Sequence, residues 1–87
     1  MSNKFKHEPQ ISKRFKKSFE SLDKEMKKRA IEKLKELLEG HISGKPLKGE
    51  HKGFKRIRIG RYRLVYSDSE PCKIYLYDIK PRETAYI

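Results

Sequence analysis

Thirteen consecutive residues, Phe54 to Tyr66, leave this chain little freedom. They run Phe-Lys-Arg-Ile-Arg-Ile-Gly-Arg-Tyr-Arg-Leu-Val-Tyr. Ile57 and Ile59 are two apart, as are Tyr62, Leu64 and Tyr66, and Gly60 lies between the two sets. Successive side chains of a strand point to opposite faces, so this alternation predicts two strands joined by a tight turn at Gly60. The apolar set of each strand shares one face. Arg56 and Arg58 share the other, with Arg61, Arg63 and Val65 on that side of the second strand. A hairpin of this kind must bury its apolar face against another layer, and its arginine face stays open.

The covering layer is written upstream. Ile11, Phe15, Phe19 and Leu22 are spaced by four, four and three residues and line one face of a helix, with Ser12 or Gln10 at its start. Asp23 is an N-cap for a second helix, three residues ahead of Met26. Met26, Ala30, Leu34, Leu37 and Leu38 form its apolar stripe, and Gly40 ends it. Its outer side mixes Lys and Glu, as a solvated face does. Ser21 and Leu22 leave so little room between the helices that they must form an antiparallel hairpin. Residues 3–8 are expected to form a short first strand closed by Pro9, and residues 41–53 a loop. After a turn at Asp68-Ser69-Glu70-Pro71, residues 73–79 make a last strand. Strict alternation there places Ile74, Leu76 and Asp78 against Tyr75, Tyr77 and Ile79, with Tyr75 and Tyr77 on the open face. The sum is an α+β, two-layer domain over residues 1–87: an N-terminal strand, a helix hairpin and an antiparallel three-strand meander, β-α-α-β-β-β.

Charge narrows the partners. Lys and Arg total 23 against 12 Asp and Glu, a formal net charge of +11, which points to polyanions. Lys45, Lys48, Lys52, Lys55, Arg56, Arg58, Arg61 and Arg63 face a single acid, Glu50, in their segment. Arg56, Arg58 and Arg63 converge on the open sheet face beside Tyr75 and Tyr77. Guanidinium forks and aromatic rings together grip phosphates and stack unpaired bases. A membrane partner fits less well, because the apolar residues are consumed by the core. Cys72 is the only cysteine. It forms no internal disulfide, reads as a small half-buried residue on a strand, and fits a reducing compartment, the cytoplasm. Residues 1–9 lack the apolar stretch of a signal peptide.

The run from Gly53 to Tyr66 resembles the central strands of the RelE/ParE toxin superfamily. Pro46-Leu47-Lys48-Gly49 fits its loop after the helix hairpin. Ile79-Lys80-Pro81-Arg82-Glu83-Thr84-Ala85-Tyr86 resembles its C-terminal end, most of all in the archaeal type of RelE. The resemblance implies an mRNA endonuclease that cuts codons in the ribosomal A site. It would act by attack of the ribose 2′-hydroxyl on the adjacent 3′ phosphate, without metal or cofactor. Its partners would be mRNA, the ribosome with its rRNA, and a RelB-like antitoxin. Carried over residue by residue, the catalytic set is Arg56, Arg58, Arg63, Arg82 and Tyr86. Arg63 and Arg82 would hold the scissile phosphate, and Tyr86 would stack on a base or orient the 2′-hydroxyl. Lys45, Lys48, Lys52, Lys55, Arg61 and Lys80 would contact the rest of the RNA.

The proton acceptor is the open part of this assignment. Some relatives carry lysines where Arg56 and Arg58 stand, and arginine essentially cannot release its proton. His41 and His51 lie in or beside the loop, where histidine is more often a surface residue, and Glu83 follows Arg82. Two other functions stay open. One is the ParE branch, which poisons DNA gyrase and cuts no RNA. The other is an RNA- or ribosome-binding module without catalysis.

Overall fold

The computed structural model describes residues 7–47, 49 and 53–81. The elements follow in the order β1 (Glu8–Ile11), α1 (Lys13–Glu20), α2 (Lys24–Leu38), β2 (Lys45–Pro46), β3 (Lys55–Ile59), β4 (Tyr62–Ser67) and β5 (Lys73–Pro81). They build one five-stranded sheet in the order β1-β5-β4-β3-β2. β1 runs parallel to β5, and the other neighbours are antiparallel. The α+β fold and its element order are those expected from the alternation and helical spacing.

Both helices start on side-chain caps. The Ser12 hydroxyl accepts from the Phe15 backbone N–H at 2.9 Å, and Asp23 accepts from that of Met26 at 2.8 Å. Ser12 also donates to the Tyr77 carbonyl at 2.7 Å, so one hydroxyl caps α1 and ties it to β5. α2 ends in a Schellman arrangement. His41 N–H bonds the Glu36 carbonyl, Gly40 N–H bonds that of Leu37, and Gly40 adopts a φ of 82°. Phe15, Leu22, Ala30, Leu37 and Leu38 from the helices meet Ile59, Leu64, Tyr66, Ile74, Leu76 and Ile79 from the sheet in one core. Phe19, Met26 and Leu34 pack at its margin.

Four local expectations need correction. The first strand is Glu8–Ile11, so it includes Pro9; residues 3–6 lie outside the described residues. An edge strand tolerates a proline because one of its sides needs no ladder donor. Ile11 accordingly belongs to β1 and not to the α1 stripe, and it is 59% exposed. Within the segment read as a loop, β2 pairs Lys45 with Arg56 and Pro46 with Lys55. Gly44 permits this approach: a Cβ there would stand 2.5 Å from the Arg56 carbonyl oxygen. Its N–H donates to the Tyr66 hydroxyl at 2.7 Å, which anchors the segment to the core.

The third correction concerns β5. The ladder with β4 shifts between Val65 and Tyr66. Before the shift Leu76 faces Tyr66; after it Ile79 faces Leu64. The extra residue restores Ile79 to the core, where strict alternation put it on the open face. Asp78, expected beside Ile74 and Leu76, instead stands opposite Val65 and is 1% exposed. Its Oδ1 accepts from the Ser18 hydroxyl at 2.7 Å and from the Ile79 N–H at 2.8 Å. Finally, Cys72 is exposed, and it lies in the turn before β5 with a φ of 64° rather than on a strand. That left-handed conformation is uncommon for a residue with a Cβ.

Candidate nucleic-acid interface

The ladder of the β3–β4 hairpin decides which cations gather. Directly opposed residues share a face, so Ile57 with Leu64 and Ile59 with Tyr62 belong to the helix side. Gly60, at φ 59°, closes the turn between the strands. The other face carries Arg58 opposite Arg63, and Arg63 is in turn opposite Lys80 of β5. Three cations therefore cross three adjacent strands in one row. The next row holds Lys45, Arg56, Val65 and Asp78. Lys45, Arg56 and Arg58, together with Ser43 and Gly44, line a cleft of about 330 Å³.

This arrangement costs stability. Opposed like charges in a sheet repel, and the one acid of the two rows is buried. Lys80 reaches it, with Nζ 3.5 Å from Asp78 Oδ2. Among the described residues Asp78 Oδ2 accepts no hydrogen bond, and Arg63 Nε is buried with no hydrogen-bond partner. A buried donor without a partner is unfavourable, so Arg63 is held ready for an acceptor that the described residues do not provide. Arginine forks match phosphate oxygens in geometry as well as charge.

The aromatic residues divide by role. Phe54 and Tyr77 flank β4, and their rings stack with centroids 5.2 Å apart. The Arg14 guanidinium sits 5.5 Å over the Tyr77 ring, so Tyr77 is a brace between α1 and the sheet. Tyr75, 6.4 Å from Tyr77, is the exposed ring of the group.

Among the residues assigned from sequence, Lys45, Arg56, Arg58, Arg63 and Lys80 come together on the sheet face turned away from the core; that face is not open throughout as expected, because Val65 and Asp78 in the same rows are each 1% exposed. Arg61 is exposed in the turn beside Gly60, away from the rows. Lys55 lies on the other face, opposite Tyr66, and its Nζ holds Asp68 at 2.8 Å. The hydrogen bond to Asp68 raises the Lys55 pKa above the usual lysine value, with burial working the other way. Lys55 is thus committed to an internal pair rather than free for RNA. His41 is exposed with Nε2 3.4 Å from Glu39 and does not join the rows. Lys48, His51, Lys52, Arg82, Glu83 and Tyr86 lie outside the described residues. Asp78 and Phe54 were missed as site-forming residues. Phe54 was legible from its parity with Arg56 and Arg58; Asp78 was not, because the bulge shifts its phase.

Among the described residues no helix is long and apolar enough to cross a membrane. No curated protein is similar enough in sequence to serve as a relative. Solved structures are similar across nearly the whole chain. YafQ from E. coli strain BL21(DE3) superposes with a TM-score of 0.78 at 13% identity, covering 93% of this chain and 99% of that one. The isolated E. coli RelE toxin gives 0.72 at 23%, covering 86% and 83%. A chain of the archaeal RelE–RelB complex from Pyrococcus horikoshii OT3 gives 0.68 at 26%, covering 92% and 99%. The family model described as the ParE toxin of the type II toxin–antitoxin system parDE matches residues 10–86. The strand–helix hairpin–meander order, its cationic sheet face and a family match over almost all the residues agree, and the chain belongs to the ParE toxin family within the RelE/ParE superfamily.

Proposed function

We propose that this protein is the toxin of a type II toxin–antitoxin pair and cleaves mRNA in the ribosomal A site, in the cytoplasm. The observation that carries this reading is the Arg58–Arg63–Lys80 row, with Arg63 Nε buried and unpartnered. In the proposed reaction the ribose 2′-hydroxyl loses its proton to an acceptor and its oxygen bonds to the adjacent phosphorus. The bond from phosphorus to the 5′ oxygen breaks, and a proton is supplied to that leaving oxygen. Arg63, flanked by Arg58 and Lys80, stabilises the charge that builds on the phosphorane oxygens, where fixed donors are most effective. Arg56 and Lys45 hold the flanking phosphate beside the cleft, and Tyr75 offers a ring to an unpaired base. Arg82 and Tyr86 complete the set from the C-terminal tail.

The implied partner is a RelB-like antitoxin whose acidic or amphipathic segment covers Arg58 and Arg63 or displaces the tail. The likeness to a chain of an archaeal RelE–RelB complex supports this. The ParE description of the matched family favours a second reading, inhibition of DNA gyrase without RNA cleavage.

One experiment separates the two. A defined mRNA is incubated with the purified protein, with and without programmed ribosomes, and its ends are mapped by primer extension. Cuts within A-site codons that need ribosomes and vanish in Arg63→Ala are expected. Intact mRNA under both conditions, with loss of gyrase supercoiling activity in a parallel assay, would replace this reading with the second.

A further inference from the structure

Asp78 is the only charged side chain that is buried among the described residues, at 1% exposure, and the proposed chemistry makes no use of it. Its two oxygens have different surroundings. Oδ1 accepts from the Ser18 hydroxyl at 2.7 Å and from the Ile79 N–H at 2.8 Å, and so ties α1 to β5. Oδ2 is buried and accepts no hydrogen bond among the described residues, and the Lys80 Nζ stands 3.5 Å from it. The tie to α1 needs an acceptor but no charge. An asparagine would present the same oxygen, and burying a carboxylate is far less favourable than burying an amide. A charge kept in that position acts on something other than the tie, and the group it faces is the Lys80 ammonium.

We propose that Asp78 is a positioning residue: through Oδ2 it holds the Lys80 ammonium beside Arg63, so that the third cation of the row meets the scissile phosphate at a fixed place. Lys80 is the member of the row that most needs holding. Lysine is a point charge on a flexible stem, without the planar fork of arginine. Its side chain is 40% exposed, and it stands opposite Arg63, whose like charge drives it toward solvent. An acid on the surface would be screened by salt and would itself move. A buried one is screened much less. The two bonds to Oδ1 fix the plane of the carboxylate, so Oδ2 is presented at one place. The shift in the β4–β5 ladder puts it there, since strict alternation would have set Asp78 beside Ile74 and Leu76. The inference rests on the RNA-cleaving reading for what the row does, and adds a residue that acts on the phosphate only through Lys80.

The test has two arms. In the first, NMR relaxation measures the order of the Lys80 Cε in the wild type, beside that of the exposed Lys16 of α1. Lys80 should be clearly the more ordered, and in Asp78→Asn it should become as mobile as Lys16. A Lys80 already as mobile as Lys16 in the wild type overturns the proposal, and that result needs no variant to fold. The second arm is a cycle of Asp78→Asn, Lys80→Gln and the double variant, assayed for mRNA cleavage on programmed ribosomes. Misplacing a reacting group slightly lowers the rate by up to roughly 100-fold. Asp78→Asn should lose that much in kcat with KM little changed, Lys80→Gln should match it, and the double variant should fall no further. The melting temperature of Asp78→Asn should not fall, because the acceptor for Ser18 is kept. Losses that simply add in the double variant overturn the proposal, as does a lower melting temperature with cleavage unchanged, which would make Asp78 a tie between α1 and β5 and nothing more. A Lys80 that loosens in Asp78→Asn, in a protein that cuts no mRNA, would leave the positioning standing while the cleavage reading fails. Cleavage that survives Asp78→Asn in full would give the reverse.

Discussion

Arg63 and Leu64 are neighbours in β4, yet they belong to two different economies. Leu64 is wholly buried between Ile57 and Ile79, each opposite it across the ladder. Arg63 stands between Arg58 and Lys80, with a buried nitrogen that finds no acceptor among the described residues. The same backbone ladder serves both faces, so the difference lies entirely in the side chains. On the helix side every contact lowers the free energy of the fold. On the other side Arg58 and Arg63 oppose each other as like charges, and only Lys80 has an acid, Asp78, within reach. Stability and binding are thus assigned to opposite faces of the same strands, and substitutions on the two faces should separate them.

The widest separation is expected at this pair. Leu64→Ala should destabilise by about 3 kcal/mol, as large-to-small changes in a well-packed core do. In a domain this small that lowers the melting temperature by roughly 10–20 °C. Arg63→Ala should leave the melting temperature unchanged or raise it, while cutting mRNA cleavage by roughly 10²–10³-fold, the loss seen when a transition-state donor is removed. Thermal melts and primer-extension rates on the two proteins check this directly. A strong fall in melting temperature in Arg63→Ala would show that the open face also sustains the fold.

A smaller effect should appear where the two faces meet. Gly44→Ala places a methyl group 2.5 Å from the Arg56 carbonyl oxygen and beside the Tyr66 ring. Overpacking of this kind costs about 1–3 kcal/mol. Because β2 must move away from β3, Lys45 should also leave the cleft. Denaturant melts should report the loss of stability, and RNA affinity should fall with it.

The least effect concerns Lys55, a cation that the fold has taken for itself. The Lys55–Asp68 pair is about one-third exposed, so its contribution is under about 1 kcal/mol. The pairing raises the folded-state pKa of Lys55. Its stabilisation is therefore complete below the unfolded-state value of about 10.4 and is lost as pH rises through the raised folded value. Wild type and Lys55→Met should differ in denaturation midpoint at neutral pH and converge at strongly alkaline pH. RNA affinity should change little in this variant, since Lys55 lies away from the open face.

Much of this molecule could be read before its tertiary structure. The periods of two and 3.6 residues in Phe54–Tyr66 and Phe15–Leu38 are local properties, because side-chain direction follows backbone type. They were enough to place Ile59, Leu64 and Tyr66 in the core, Ile57 against it, and Arg56, Arg58 and Arg63 outside it. The caps at Ser12 and Asp23 were legible for the same reason: a cap bonds a backbone N–H three residues away. Ile79 and Asp78 were not legible. A bulge is a property of a pair of strands, and nothing in the alternation of β5 alone announces the shift opposite Val65 and Tyr66. The pairing of β1 with β5 and of β2 with β3 was hidden likewise, since short edge strands carry little pattern of their own.

What the sequence determined by itself was both helices and the three longer strands, the faces of the β3–β4 hairpin, and an excess of cations that calls for a polyanion. Only the tertiary structure decided which cations act together. Arg58, Arg63 and Lys80 are separated along the chain and become one row through ladder register, while Lys55, equally basic in the sequence, shares the face of Ile57 and Ile59 and is paired there with Asp68. Charge is carried by residues one at a time, but an electrostatic site depends on distances between them, and those distances are set by pairing between strands.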